Sequence, residues 1–203
     1  MPDSFSTGKW HNRKYMPHFE GGTVPQHVTI HLGDSMSVKA LQEIDSYIAS
    51  FPEDKRAAER RKRIEALVDS GIGGCILRKP AVAEMVQNAL LHFDGDRYRL
   101  LAGVIMPNHV HVLFEPLGPW KVSKVVASWK KWTARKICEE PEYKEKNLLP
   151  VWHPEYWDRY IRDEKHFVRV IEYIHYNPVN AGLAGTAEEW SWSSARMGMN
   201  GVE

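Results

Sequence analysis

The stretch MPNHVHVLFEP, residues 106–116, decides the fold. Pro107-Asn108 is turn chemistry, and the alternating run that follows has the period of a β-strand. His109, His111 and Leu113 share one face of that strand, and Val110, Val112 and Phe114 share the other. Before it, Arg97–Met106 is a second strand-like run, opened by the turn signal Asp94-Gly95-Asp96. The two strands therefore read as a hairpin. Further back, VPQHVTIHL at 24–32 is a third alternating strand. Val28 and Ile30 point one way; His27, Thr29 and His31 point the other.

Helical patterns fill the spaces between the strands. Ser35 or Ser37 is positioned to cap a helix over 38–50 that Pro52 breaks. Residues 54–70 (DKRAAERRKRIEALVDS) read as a very charged helix stopped by Gly71, its charges chiefly a solvated face. Cys75–Leu77 reads as a short extended run. Residues 81–93 repeat apolar side chains at helical spacing, with Val82, Met85, Val86, Ala89 and Leu90 on one stripe. Residues 120–138 are helical, 139–158 form a Pro- and aromatic-rich connection, and 164–176 make a last helix ended by Asn177-Pro178. This order predicts an α+β domain, an antiparallel sheet covered on at least one face by helices. One unit is expected over 1–203, with an N-terminal arm over about 1–22 and an irregular tail over about 179–203.

With 203 residues, 43% apolar and 26% charged, the chain is long enough to bury a real core. It contains no apolar run long enough to span a bilayer, and its N-terminus lacks the apolar stretch of a secretory signal, so the cytoplasm is the expected compartment. Cys75 and Cys138 form no CxxC pattern and are expected as free thiols. A net charge of +1 means that any affinity for nucleic acid must come from local positive charge.

Three side chains suggest a metal. His109 and His111, at i and i+2 on one strand face, lie close enough to hold one cation together, although paired histidines on a half-exposed strand are often polar surface alone. In HFVRVIEYIHYNPVNAGL (166–183), Phe167, Val170, Ile171 and Ile174 form the buried stripe. Tyr173 and Asn177, four residues apart, stack on the flank beside it. From there Asn177 can reach an ion held by the histidine pair, with Tyr173 beside the same ion. Spacing leaves Tyr176 open as a competing nucleophile. Between Trp120 and Ile137, six basic residues (Lys121, Lys124, Lys130, Lys131, Arg135 and Lys136) occur with no acidic one, interleaved with Trp129 and Trp132. This helix is a candidate nucleic-acid surface, or a solvated face over core tryptophans.

The motifs MPNHVHVLFEP, WKKWTARK, EYWDRYIRDEKHF, YIHYNPVNAGL and WSWSS together resemble the REP-associated tyrosine transposases. These are relatives of the single-strand insertion-sequence transposases, within the His-hydrophobe-His endonuclease group. The likeness runs from about residue 20 to 196. It implies a ferredoxin-like fold and a site in which His109, His111 and Asn177 bind Mg²⁺ or Mn²⁺. Tyr173, aligned with the family's tyrosine, would cut single-stranded DNA beside a hairpin or palindromic repeat through a 5′-phosphotyrosine. Tyr176 is demoted by the same alignment. The chain departs from the family at HVTIHL, where His31 stands in place of a common arginine and a substrate contact is expected to differ. Its partners would be single-stranded or hairpin DNA and no membrane, and it would act as a monomer or homodimer. Two other functions fit the residues: a non-catalytic binder of structured nucleic acid derived from a transposase, and a hydrolase that uses the histidine pair without Tyr173.

Overall fold

The computed structural model describes residues 9–13, 16–20, 23–144 and 150–197. Two short strands, β1 (Lys9–Arg13) and β2 (Met16–Glu20), pair antiparallel within the expected arm. The body then runs β3 (Gln26–His31), α1 (Val38–Ile48), α2 (Glu53–Asp69), α3 (Pro80–Leu91), β4 (Tyr98–Ile105), β5 (His109–Pro116), α4 (Val122–Glu139), α5 (Pro141–Lys144), β6 (Trp157–Tyr160) and α6 (Glu164–Asn180).

β3 to β6 form one four-stranded antiparallel sheet in the order β4-β5-β3-β6. Strand, helices, two strands, helix, strand in that spatial order is the ferredoxin-like arrangement. The hairpin forms as its pattern requires, with Val110 opposite Ile105 and Val112 opposite Gly103.

Register decides what each face does, because residues directly opposite one another in an antiparallel pair share a face. Thr29 pairs with His111 and with Trp157, His31 with His109, and His27 with Leu113 and with Arg159. All of these lie on one face. Val28, Ile30, Val110, Val112 and Phe114 lie on the other and pack into the main core with Val82, Val86 and Leu90 of α3 and Val125, Val126 and Trp129 of α4. The histidine face is covered by α6, through Val170, Ile171 and Ile174 against Val104 and Leu113. It is also covered by α2, through Ile64 and Val68 against Trp157.

Both edges of this sheet have neighbours. The WSWSS segment caps β4: Ile105 N–H donates to Trp192 O at 2.9 Å, Trp190 Nε1–H to Ile105 O at 2.9 Å, and Gly103 N–H to Ser194 Oγ at 3.0 Å. On the far side, β2 lies beside β6. Capping matters because an exposed β4 edge would offer unpaired backbone groups to another chain.

Several local expectations are corrected. Ile76–Arg78 is a 3-10 turn, not an extended run. The connection after α4 contains a fourth sheet strand, β6, too short for alternation to reveal. Pro178 does not stop the last helix; it lies inside α6, which continues to Asn180. Proline removes one N–H and disfavours a helical conformation at the residue before it, but only the last turn has to absorb this. Ala181 N–H bonds Asn177 O at 3.0 Å and Leu183 N–H bonds Pro178 O at 2.8 Å, closing the end. The described part of the tail, irregular apart from a 3-10 turn at Ser194–Met197, lies against the β4 edge.

Phe114 is fully buried, edge-on to Tyr98 and to Trp129, with ring centroids 5.7 and 4.9 Å away. Phe114→Ala is expected to cost about 3–5 kcal/mol of unfolding free energy in urea titration, by lost transfer energy and the cavity left behind.

Candidate active site

The site forms where β5, α2 and α6 meet. His109 Nε2 and His111 Nε2 face each other at 3.1 Å, and both rings are buried. Asn108 sets this geometry. Its Oδ1 lies 2.8 Å from His109 Nδ1, while its Nδ2 donates to Val68 O at 2.9 Å and Ile72 O at 3.0 Å. One amide therefore orients the His109 ring and fastens the β4–β5 turn to the end of α2. Burial lowers the pKa of His109 well below the ordinary imidazole value, which keeps its Nε2 lone pair available. His111 is held at Nδ1 by Thr29 Oγ1 at 2.9 Å, with His27 Nε2 at 3.2 Å.

The end of α2 supplies a carboxylate that the sequence did not point to. Asp69 Oδ1 is 3.4 Å from His109 Nε2 and 3.7 Å from His111 Nε2. The three residues can offer ligand atoms all within 4.8 Å of one another. Asp69 is the last residue of its helix, where the macrodipole disfavours an anion unless a cation or donor compensates. Arg61, Glu65 and Asp69, each four residues apart, make one stripe beside the buried Ile64 and Val68. That spacing was the available signal, hidden within a helix that reads as charged all round.

α6 closes the site. Asn177 Nδ2 is 3.4 Å from His111 Nε2, and Asn177 Oδ1 is buried without a hydrogen-bond partner among the described residues, as is Asp69 Oδ1. Rotating that amide exchanges its nitrogen and oxygen at the His111 side. Two imidazoles, a carboxylate oxygen and an amide oxygen, the last two unpartnered among the described residues, form a donor set that fits a divalent cation. The structure does not identify which one.

Tyr173 lies against the same cluster. Its hydroxyl donates to Asp69 Oδ2 at 3.2 Å and is 3.5 Å from His111 Nε2. Burial first, and then the carboxylates of Asp69 and Glu65, push its pKa far above the ordinary phenol value. The competing Tyr176, three residues on, is 54% exposed. Among the other histidines, His175 bonds Ser194 Oγ at 2.9 Å and His31 is stacked between His153 and Trp157. His31 is therefore a core ring.

The basic residues of α4 are not brought to this site, because α4 packs on the opposite face of the sheet. Trp129 is core, its Nε1–H donating to Tyr98 Oη at 2.9 Å, and Trp132 is partly exposed. Lys130 Nζ donates to His153 O and Pro154 O at 2.7 and 2.8 Å, and Lys136 pairs with Glu139 at 2.7 Å. Lys121, Lys124, Lys131 and Arg135 are exposed. Cys75 and Cys138 are free thiols, and no described helix is long and apolar enough to cross a membrane.

Residues 78–177 match the family described as IS200-like transposases. A protein of Haemophilus influenzae described as a REP-associated tyrosine transposase is 28% identical over 103 residues, 48% of this chain and 58% of that one. The REP-associated tyrosine transposase of Escherichia coli is 26% identical over 113 residues, 55% of this chain and 63% of its own. The chain thus spans less than two thirds of the length of either relative. Among solved structures, a REP-associated tyrosine transposase bound to a REP hairpin superposes with a TM-score of 0.53 at 18% identity, covering 92% of this chain and 82% of that one. That likeness is one of fold.

Burial lowers the Lys130 pKa from 10.5 to about 8. Between these values the unfolded chain binds the extra proton, so this group's contribution to stability rises as pH rises through that window. Lys130→Met is expected to lose that rise, read as the difference between denaturation midpoints of the two proteins from about pH 8 to 10.5.

Proposed function

We propose that this chain, which belongs through residues 78–177 to the IS200-like transposase family, cuts and rejoins single-stranded DNA beside hairpin or palindromic repeats by way of a 5′-phosphotyrosine at Tyr173. One observation carries the reading. The Tyr173 hydroxyl lies 3.5 Å from His111 Nε2 and 3.2 Å from Asp69 Oδ2, within a cluster fit for a divalent cation. The two REP-associated tyrosine transposases that the chain resembles, and the solved neighbour bound to a REP hairpin, support the same substrate class.

His109, His111 and Asn177, with Asp69, are the residues that would hold Mg²⁺ or Mn²⁺, and such an ion supplies Lewis acidity toward a phosphate oxygen. The chain's own groups do the rest. Asp69 Oδ2 already accepts the Tyr173 hydrogen bond and is placed to take its proton. That transfer is needed because burial and two carboxylates hold the phenol protonated. The freed oxygen attacks phosphorus, the bond to the 3′ oxygen breaks, and the products are a 5′-phosphotyrosine and a 3′-OH. Attack by another 3′-OH reverses the exchange and joins strands. One phosphodiester replaces another, so no nucleotide cofactor is required. Asn108 and Thr29 keep both imidazoles aimed, so that little reorganisation is left for the reaction itself.

Incubation with single-stranded hairpin oligonucleotides and Mn²⁺ is expected to give a covalent complex stable to denaturing gels. It should disappear in Tyr173→Phe and persist in Tyr176→Phe. Tight binding by the parent with no adduct would instead select a non-catalytic nucleic-acid binder. An adduct that survives Tyr173→Phe would overturn the assignment of the nucleophile. Asn108→Ala releases the His109 ring and the end of α2 together, and Mn²⁺ affinity measured by calorimetry is expected to fall by about ten- to a hundredfold.

A further inference from the structure

Tyr173 lines one side of a cleft of about 390 Å³, most of whose lining has no part in the cutting chemistry. Four arginines line it, drawn from different elements: Arg61 from α2, Arg159 from β6, Arg162 from the segment between β6 and α6, and Arg169 from α6. Register puts Arg159 on the histidine face, since it stands opposite His27, which is opposite Leu113 and two residues from Thr29, the partner of His111. The cleft is thus continuous with the reacting face of the sheet rather than with the basic helix behind it.

Elsewhere on the molecule arginines have carboxylate partners: Arg60 with Asp45, Arg63 with Glu59, Arg99 with Glu115 and Arg135 with Glu139. Among the described residues, none of the four cleft guanidinium groups forms such a pair. Glu65 and Asp158 also line the cleft, which leaves the cations in excess in a chain whose net charge is only +1. Like charges gathered in a concave site repel one another unless an anion occupies it. Two further lining residues carry N–H groups without a hydrogen-bond partner among the described residues: Trp157 at Nε1, and His166 at Nε2, its Nδ1 accepting Arg162 N–H. Donors and planar guanidinium forks without acceptors match the oxygens of phosphates.

We propose that this cleft holds the phosphodiester backbone of the single strand adjoining the bond that Tyr173 attacks, with Arg61, Arg159, Arg162 and Arg169 as its grip. The inference rests on Tyr173 being the nucleophile, because that side chain lines the same cleft. A cavity of this size takes a nucleotide-sized group, so the occupant is unpaired strand, and duplex lies outside it. The exposed lysines of α4, across the sheet, are a separate surface.

The test uses Tyr173→Phe protein, so that binding is read without chemistry. The probes are a fluorescent oligothymidylate and a blunt hairpin lacking a single-stranded flank, titrated over a range of salt. Arg159→Ala with Arg169→Ala is expected to weaken oligothymidylate binding roughly tenfold. The slope of log affinity against log salt should shrink by about 1.4, or ~0.7 per lost phosphate contact. Blunt-hairpin affinity should not change. The pair Arg159→Lys and Arg169→Lys should keep the slope, which separates lost charge from lost structure. Unchanged affinity and slope for oligothymidylate in the alanine pair would overturn the proposal, as would an equal loss on the blunt hairpin. If the parent forms no phosphotyrosine adduct while the alanine pair still loses single-strand binding, the cleft assignment stands and the cutting reaction falls. An adduct formed by a protein whose arginine variants bind normally is the reverse case.

Discussion

The hydrogen bonds of Asn108 hold the site together. A single side-chain amide, buried at the β4–β5 turn, bonds the backbone on either side of Asp69 and presents its oxygen to His109 Nδ1. That arrangement aims His109 Nε2 at His111 Nε2 and brings the last carboxylate of α2 to the same point. Ile64 and Val68 pack α2 against the sheet, but apolar contacts are not directional and do not by themselves fix where the helix ends. The turn dipeptide thus terminates one strand and positions two potential ligand groups from separate elements.

The sheet divides the work between its faces. One face is a packed core of β-branched and aromatic side chains between β3, β5, α3 and α4, and it gives β5 the stiffness that converging imidazoles need. The other face carries polar and charged groups, and they are tolerated because most partner one another: His27 and Thr29 at His111, Asn108 at His109, and Asp69 Oδ2 at Tyr173. Buried polar groups that are only partly satisfied are costly. Those that remain without partners, Asp69 Oδ1 and Asn177 Oδ1, sit where a cation's charge would be most useful.

Much of this was legible in the sequence because period encodes direction. Alternation in HVHVLF assigned His109 and His111 to one face and Val110, Val112 and Phe114 to the core, and the four-residue step from Tyr173 to Asn177 put both on one flank of α6. The alternation of HVTIH likewise placed His27, Thr29 and His31 with the histidine pair. What stayed hidden depends on contacts distant in sequence. Asp69 lies 40 residues before His109 in a helix whose charge pattern looks solvated, and only the fold brings its C-terminus to the turn. β6 is four residues long, too few for a period to register. Arg159, Arg162 and Arg169 belong to a single charged stretch, but nothing in their spacing says that they surround one cleft with Arg61. The basic run on α4 is a strong compositional signal, and only the fold sets it on the face away from Tyr173. Pro178 misled because the rule that it ends a helix holds for helix interiors better than for a final turn.

The proposed chemistry depends on one ion position and on which side chains surround it. Anomalous diffraction from crystals soaked in Mn²⁺ locates that ion directly. The prediction is a single strong peak within bonding distance of His109 Nε2 and His111 Nε2, bordered by Asp69 and by Asn177 Oδ1, with the Tyr173 hydroxyl beside it. A peak elsewhere on the molecule, or an ion at the histidine pair with Tyr173 turned out of the site, would contradict it.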